Sequence, residues 1–172
     1  AFDWCSNLAS PAALVAGAVL ATLSATRGEL MPLKSDKPMA RFIKKACRLL
    51  LLSAFGLEIF CIFVTTVTGT MLLSHGDIPA GRHGGIHYHS PMGFMAYNHE
   101  FEYLTSRVTF LQGLFNWLAA VALQFLVRHP NESKAAHRMN IHISSWMLSM
   151  ILIIMQFYND HITFYESYPQ ML

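Results

Sequence analysis

Residues 41–74 read Arg41-Phe42-Ile43-Lys44-Lys45-Ala46-Cys47-Arg48, then Leu49-Leu50-Leu51-Leu52-Ser53-Ala54-Phe55-Gly56-Leu57-Glu58-Ile59-Phe60-Cys61-Ile62-Phe63-Val64-Thr65-Thr66-Val67-Thr68-Gly69-Thr70-Met71-Leu72-Leu73-Ser74. A cationic turn runs into a long apolar stretch whose single charge is Glu58. Such a stretch, as a helix, spans the roughly 30 Å hydrocarbon core of a bilayer. The same boundary recurs along the chain. Ten of the twelve Lys and Arg residues fall between Arg27 and Arg48 or between Arg128 and Arg138. Only Arg82 and Arg107 lie elsewhere. Lys and Arg collect in loops that are not translocated. The pattern predicts four crossings, over about 9–26, 49–74, 104–127 and 139–158. Both termini would lie on the side opposite the basic loops. The expected fold class is therefore all-α: an integral membrane four-helix bundle forming one domain over 1–172.

Composition agrees. With 53% hydrophobic and 13% charged residues, 172 residues make one membrane domain rather than a string of modules. Basic clusters beside apolar spans are membrane contacts, so nucleic acid drops out as a partner. Under this topology Cys5, Cys47 and Cys61 lie at different depths and cannot pair. No Ser-His-Asp set, phosphate-binding glycine loop, CxxC or HExxH occurs, and the reading is not an enzyme. The opening at Ala1 leaves two readings open, a targeting segment cut away, as in an imported organelle protein, or an arbitrary starting point.

Local signals mark the ends. Ser10-Pro11 reads as a cap followed by a first-turn proline, opening the first span. Gly28 to Pro38 reads as a loop. Arg41, Lys44, Lys45 and Arg48 read as headgroup-level turns. Residues 75–99 form a long loop rich in glycine and histidine. The aromatic tail, with Tyr158, Phe164, Tyr165 and Tyr168, suits an interfacial belt.

At helical period each span has one small or polar face, and lipid-facing positions should be uniformly apolar. The expected inward stripes are Ala13, Gly17 and Ala21 on the first span, and Ala54, Glu58, Cys61, Thr65 and Thr68 on the second. On the third they are Glu102, Thr105, Thr109, Gln112, Asn116, Ala120 and Gln124. On the fourth they are His142, Ser145, Ser149 and Gln156.

Glu58 is the strongest candidate for chemistry. Counted from Arg48 at ~1.5 Å per residue it lies about 15 Å deep, near the bilayer midplane. A carboxylate there costs at least ~2.5 kcal/mol on insertion scales. It is read either as a structural acid meeting a small-residue gap and the amide of Asn116, or as a proton or ion relay. A third reading is an axial ligand to a chlorophyll magnesium, which accepts oxygen donors. His142 is read as bonded to Gln124 or as a cofactor ligand. Haem b is disfavoured because no second histidine matches its depth. Asn116 and Gln112 complete the candidate cofactor set. In the loop, His83, His87, His89 and His99 are candidate zinc or copper ligands, with His161 able to complete a shell. The competing reading is a loop whose histidines contact partners or titrate. Arg107 is expected to anchor its helix rather than react.

The run Gly93-Phe94-Met95-Ala96-Tyr97-Asn98-His99-Glu100-Phe101-Glu102-Tyr103-Leu104, continued by Arg107-Val108-Thr109-Phe110-Leu111-Gln112-Gly113-Leu114, resembles a pattern in small four-span proteins of red-lineage plastid algae. Phe55-Gly56-Leu57-Glu58 through Thr65-Thr66-Val67-Thr68-Gly69-Thr70 is similar to theirs as well. The likeness spans about 49–128, with His99-Glu100 where the pattern favours Phe-Glu. It implies an algal, thylakoid integral protein of the accessory-subunit kind, and it supplies no ligand residues.

Small size, no catalytic constellation and aromatic helix flanks together predict a non-catalytic subunit docked on larger integral membrane subunits. An algal photosystem–antenna supercomplex is the leading setting, with chlorophyll, carotenoid and structural lipid as cofactors. The alternatives are an accessory subunit of a respiratory complex in the mitochondrial inner membrane, and a small proton or ion conductor centred on Glu58.

Overall fold

A computed structural model describes residues 2–33, 36–74, 100–127 and 132–161, nearly all of it helix. The helices are α1 (Phe2–Ala25), α2 (Pro38–Ser74), α3 (Glu100–Gln124) and α4 (Lys134–His161). All four exist where the sequence places them, and each begins earlier than its apolar stretch does. α1 starts at Phe2 and carries Pro11 inside it, so Ser10-Pro11 is not its cap. A proline in the interior removes one backbone hydrogen bond, a defect that membrane helices tolerate. α2 opens at Pro38, a residue pre-set for a first helical turn, and its 37 residues make a rod of about 55 Å. The cationic turn is its first part, not a separate interfacial helix.

Three helices are long and apolar enough to cross a membrane, over Cys5–Ala25, Pro38–Met71 and Lys134–Tyr158. α3 falls short. It carries Glu100, Glu102 and Arg107 in its first turns and Gln112, Asn116 and Gln124 beyond them, which dilutes its apolar length.

The described residues pack as two units. The first holds α1, α2 from Leu51 onward and α3 as far as Trp117. There α1 turns Ala12, Ala16 and Val19 inward, at helical spacing. The expected small face of Ala13, Gly17 and Ala21 is exposed instead. α2 buries the stripe that was expected of it, Ala54, Glu58, Cys61, Thr65 and Thr68. α3 buries Tyr103, Ser106, Thr109 and Gly113. Of its expected stripe Thr109 and Ala120 are buried and Asn116 is half-buried, while Gln112 alone is exposed.

The second unit holds Leu30–Leu50, the last turns of α3 and α4. Lys44 is drawn in to the loop: its Nζ donates to Asp36 Oδ2 at 2.8 Å and to the Met31 carbonyl at 3.4 Å. Asp36 Oδ2 also accepts the Leu33 N–H at 2.9 Å. The Lys44 ammonium, with that N–H, holds the Asp36 carboxyl below its ordinary range. Cys47 Sγ donates to the Ala120 carbonyl at 3.6 Å. α4 is capped by Ser133, whose Oγ accepts the Ala136 N–H at 3.1 Å. Glu132 accepts from Asn140 on the same helix. α4 buries Ser144 and Ile151, so the expected inward stripe of His142, Ser145, Ser149 and Gln156 is exposed.

Candidate functional site

The site is built in the first unit, where α2 and α3 run antiparallel. Cys61 Sγ donates to the Ser106 carbonyl at 3.3 Å, and Asn116 Nδ2 donates to Ser53 Oγ at 3.0 Å. Descending α2 is ascending α3. Between these two ties lies Glu58, with 0% of its surface exposed.

What faces it is Gly113. A β-carbon built there would sit 2.5 Å from Glu58 Oε1 and 3.0 Å from Cδ, so only glycine admits the carboxyl in this position. Gly17 and Gly56 have nothing within 4 Å of the same construction. The sequence offered one signal for Gly113, a glycine inside a helix, where it costs about 1 kcal/mol relative to alanine.

The expected amide partner is elsewhere. Asn116 lies one turn beyond Gly113, gives its amide to Ser53, and accepts from Gln112 Nε2 at 2.8 Å. Neither oxygen of Glu58 has a hydrogen-bond partner among the described residues. The hydroxyls on these faces are already committed to their own helices. Thr65 Oγ1 donates to the Cys61 carbonyl at 2.8 Å, Ser106 Oγ to Glu102 O at 2.7 Å, and Thr109 Oγ1 to Thr105 O at 2.8 Å. Such back-bonding satisfies a hydroxyl without any neighbouring helix.

The other candidates are scattered. His142 is exposed on α4 and makes no described bond to Gln124. Gln112 is exposed on α3. Arg107 donates to the phenol oxygen of Tyr103 and stacks over that ring at 5.2 Å from its centroid, so it is anchored one turn back on its own helix. Cys5, Cys47 and Cys61 are all buried free thiols. His83, His87, His89 and His99 lie outside the described residues, and among the described residues no three His, Cys, Asp or Glu groups converge as a metal shell.

As magnesium ligands the candidates divide by access. Glu58 is enclosed by its own helices and does not fit a macrocycle in this packing. His142 and Gln112 both lie on exposed helix faces, and Gln112 gives its amide nitrogen to Asn116. Asn116, committed to Ser53 and Gln112, is the poorer choice.

Comparison with known protein families, curated proteins and solved structures gives no match. The chain is defined by its own architecture: an all-helical protein with three helices able to cross a membrane, and a sealed carboxyl between α2 and α3.

Proposed function

We propose that the protein is a non-catalytic accessory subunit of a larger membrane assembly, with helices of another integral subunit lying along α1 and α4. The observation that carries this reading is the outward turn of two stripes. On α1 the close-packing face of Ala13, Gly17 and Ala21 is open. On α4 His142 is exposed about 12 Å along the helix from Lys134, at ~1.5 Å per residue. Small-residue faces serve close helix contact, and an imidazole in hydrocarbon requires a partner that lipid tails cannot provide. Only 17% of the α1 window and 11% of the α4 window are buried within the chain, which leaves most of both for neighbours.

In this reading α3 is the fourth crossing. Its antiparallel run beside α2 shelters Ser106, Thr109 and Gly113, which offsets its lower apolarity. The basic loops face the stroma, and the termini and the His83–His99 segment face the lumen of a thylakoid. The likeness to small plastid proteins favours an algal photosystem–antenna supercomplex over a mitochondrial respiratory complex. His142, and secondarily Gln112, would hold a chlorophyll magnesium and so supply light absorption. Carotenoid and structural lipid would lie against exposed apolar residues such as Leu14 and Leu152. The conductor reading gains nothing from the hydroxyls around Glu58, which are turned into their own helices rather than into a file.

The test is mild-detergent extraction of the native membrane, native separation and an absorption spectrum of the band holding this chain. A large band with chlorophyll absorption is expected. A small band without it would remove the photosynthetic assignment, and a large band without chlorophyll would move it to a respiratory complex.

A further inference from the structure

The sealed carboxyl has a consequence that does not depend on any partner. An ionised carboxylate presents about four lone-pair sites and a full charge, and buried charges persist only when paired. Among the described residues nothing around Glu58 can pair with it. On α2, Cys61 is the only other titratable group from Leu49 to Ser74, and its S–H is given to Ser106 O. On α3 no acidic or basic residue occurs from Val108 to Gln124, and the nearest base, Arg107, is held by Tyr103. On α1 there is none from Ser6 to Ala25. The neighbouring hydroxyls are spent on their own carbonyls, and no water-sized opening reaches a residue with 0% exposure.

We propose that Glu58 is a proton-binding site that locks α2 to α3. In the closed pair the carboxyl is a neutral acid lodged against the bare backbone of Gly113. Releasing the proton creates a charge that this seam cannot hold, so the seam must open at Gly113 for the ionised form to reach solvent or a cation. The ligand is a proton. The closed pair is a store for it rather than a path, because the one titratable neighbour on α2, Cys61, gives its S–H to the Ser106 carbonyl and no further acid or base follows among the described residues from Leu49 to Ser74 or from Val108 to Gln124.

The experiment is infrared spectroscopy of the full chain in detergent micelles at neutral pH, with ¹³C-glutamate labelling. A protonated-carboxyl band that shifts on labelling is expected in the wild-type chain and is expected to vanish in Glu58→Gln. Only carboxylate bands from labelled glutamate in the wild type would overturn the proton site, and that measurement needs no variant to fold. An acid band that survives in Glu58→Gln would overturn it too. The lock is read by amide hydrogen exchange around Gly113. After correction for intrinsic rates, exchange should rise with pH in the wild type and stay level in Glu58→Gln. Identical profiles would overturn the lock.

Discussion

α2 and α4 carry equally clear polar stripes in sequence, and the two stripes end on opposite sides of their helices. On α2 the row from Ala54 to Thr68 is buried; on α4 the row from His142 to Gln156 is exposed. Hydroxyl residues explain much of the difference. Thr68 Oγ1 on α2 donates to the Val64 carbonyl at 2.8 Å, and Ser149 Oγ on α4 donates to the Ser145 carbonyl at 2.9 Å. One is buried and one exposed, yet the bond is the same. A serine or threonine that satisfies itself says little about which way its face points. The informative residues are those that cannot do so, Glu58 and His142, and they point in and out respectively.

The comparison breaks most sharply at glycine. Gly113→Ala puts a methyl group against the Glu58 carboxyl and should lower stability by about 1–3 kcal/mol through overpacking, less up to ~1 kcal/mol recovered from helix propensity. Gly17→Ala, on the open face, should be neutral or stabilise the isolated chain by up to ~1 kcal/mol. Thermal unfolding in micelles measures both. If Gly113→Ala is as mild as Gly17→Ala, the seam is looser than the geometry describes. The same Gly17→Ala chain returned to its native membrane should lose its place in the large complex, which native separation would show.

Next in size is Asn116→Ala, which removes the tie to Ser53 and the bond from Gln112. Interhelical hydrogen bonds in membranes average ~0.6 kcal/mol with a ceiling near ~1.7, so a loss in that range is expected. His142→Ala should leave the unfolding of the isolated chain unchanged while removing complex retention or a pigment band. A destabilised isolated chain would mean that His142 serves its own fold.

The smallest effect concerns the second unit. The Asp36 carboxyl titrates below its ordinary range because Lys44 holds its charged form. Its contribution is therefore present above the ordinary carboxylate range and lost as pH falls through the lowered value. Lys44→Met should flatten that acid limb of the stability curve and change little at neutral pH.

The four helices were legible because long apolar runs bounded by cations have few other uses. The α2 stripe was legible because Glu58 marks a face that cannot meet lipid. The α1 and α4 faces were not. A small or polar stripe reports contact with some helix, and periodicity cannot say whether that helix belongs to the same chain. For Glu58 the sequence points to a small-residue gap and to the amide of Asn116; Gly113 supplies the gap, and Asn116, one turn on, bonds Ser53 instead. The start of α1 was missed: Ser10-Pro11 has the chemistry of a helix start, but the helix runs through it.

Trp117 Nε1 donates to Thr22 Oγ1 at 3.2 Å, and that hydroxyl in turn donates to the Ala18 carbonyl at 2.8 Å. The indole of α3 thus ends on a hydroxyl of α1, while Trp146 on α4 is 70% exposed. Indole emission responds to the loss of such a bond, and Trp146 is placed to answer to an arriving neighbour instead. With the third tryptophan replaced by Trp4→Phe, the chain therefore carries two optical gauges with separate duties, one reading the attachment of its first helix and the other the approach of a foreign surface, and Thr22→Val silences the first alone.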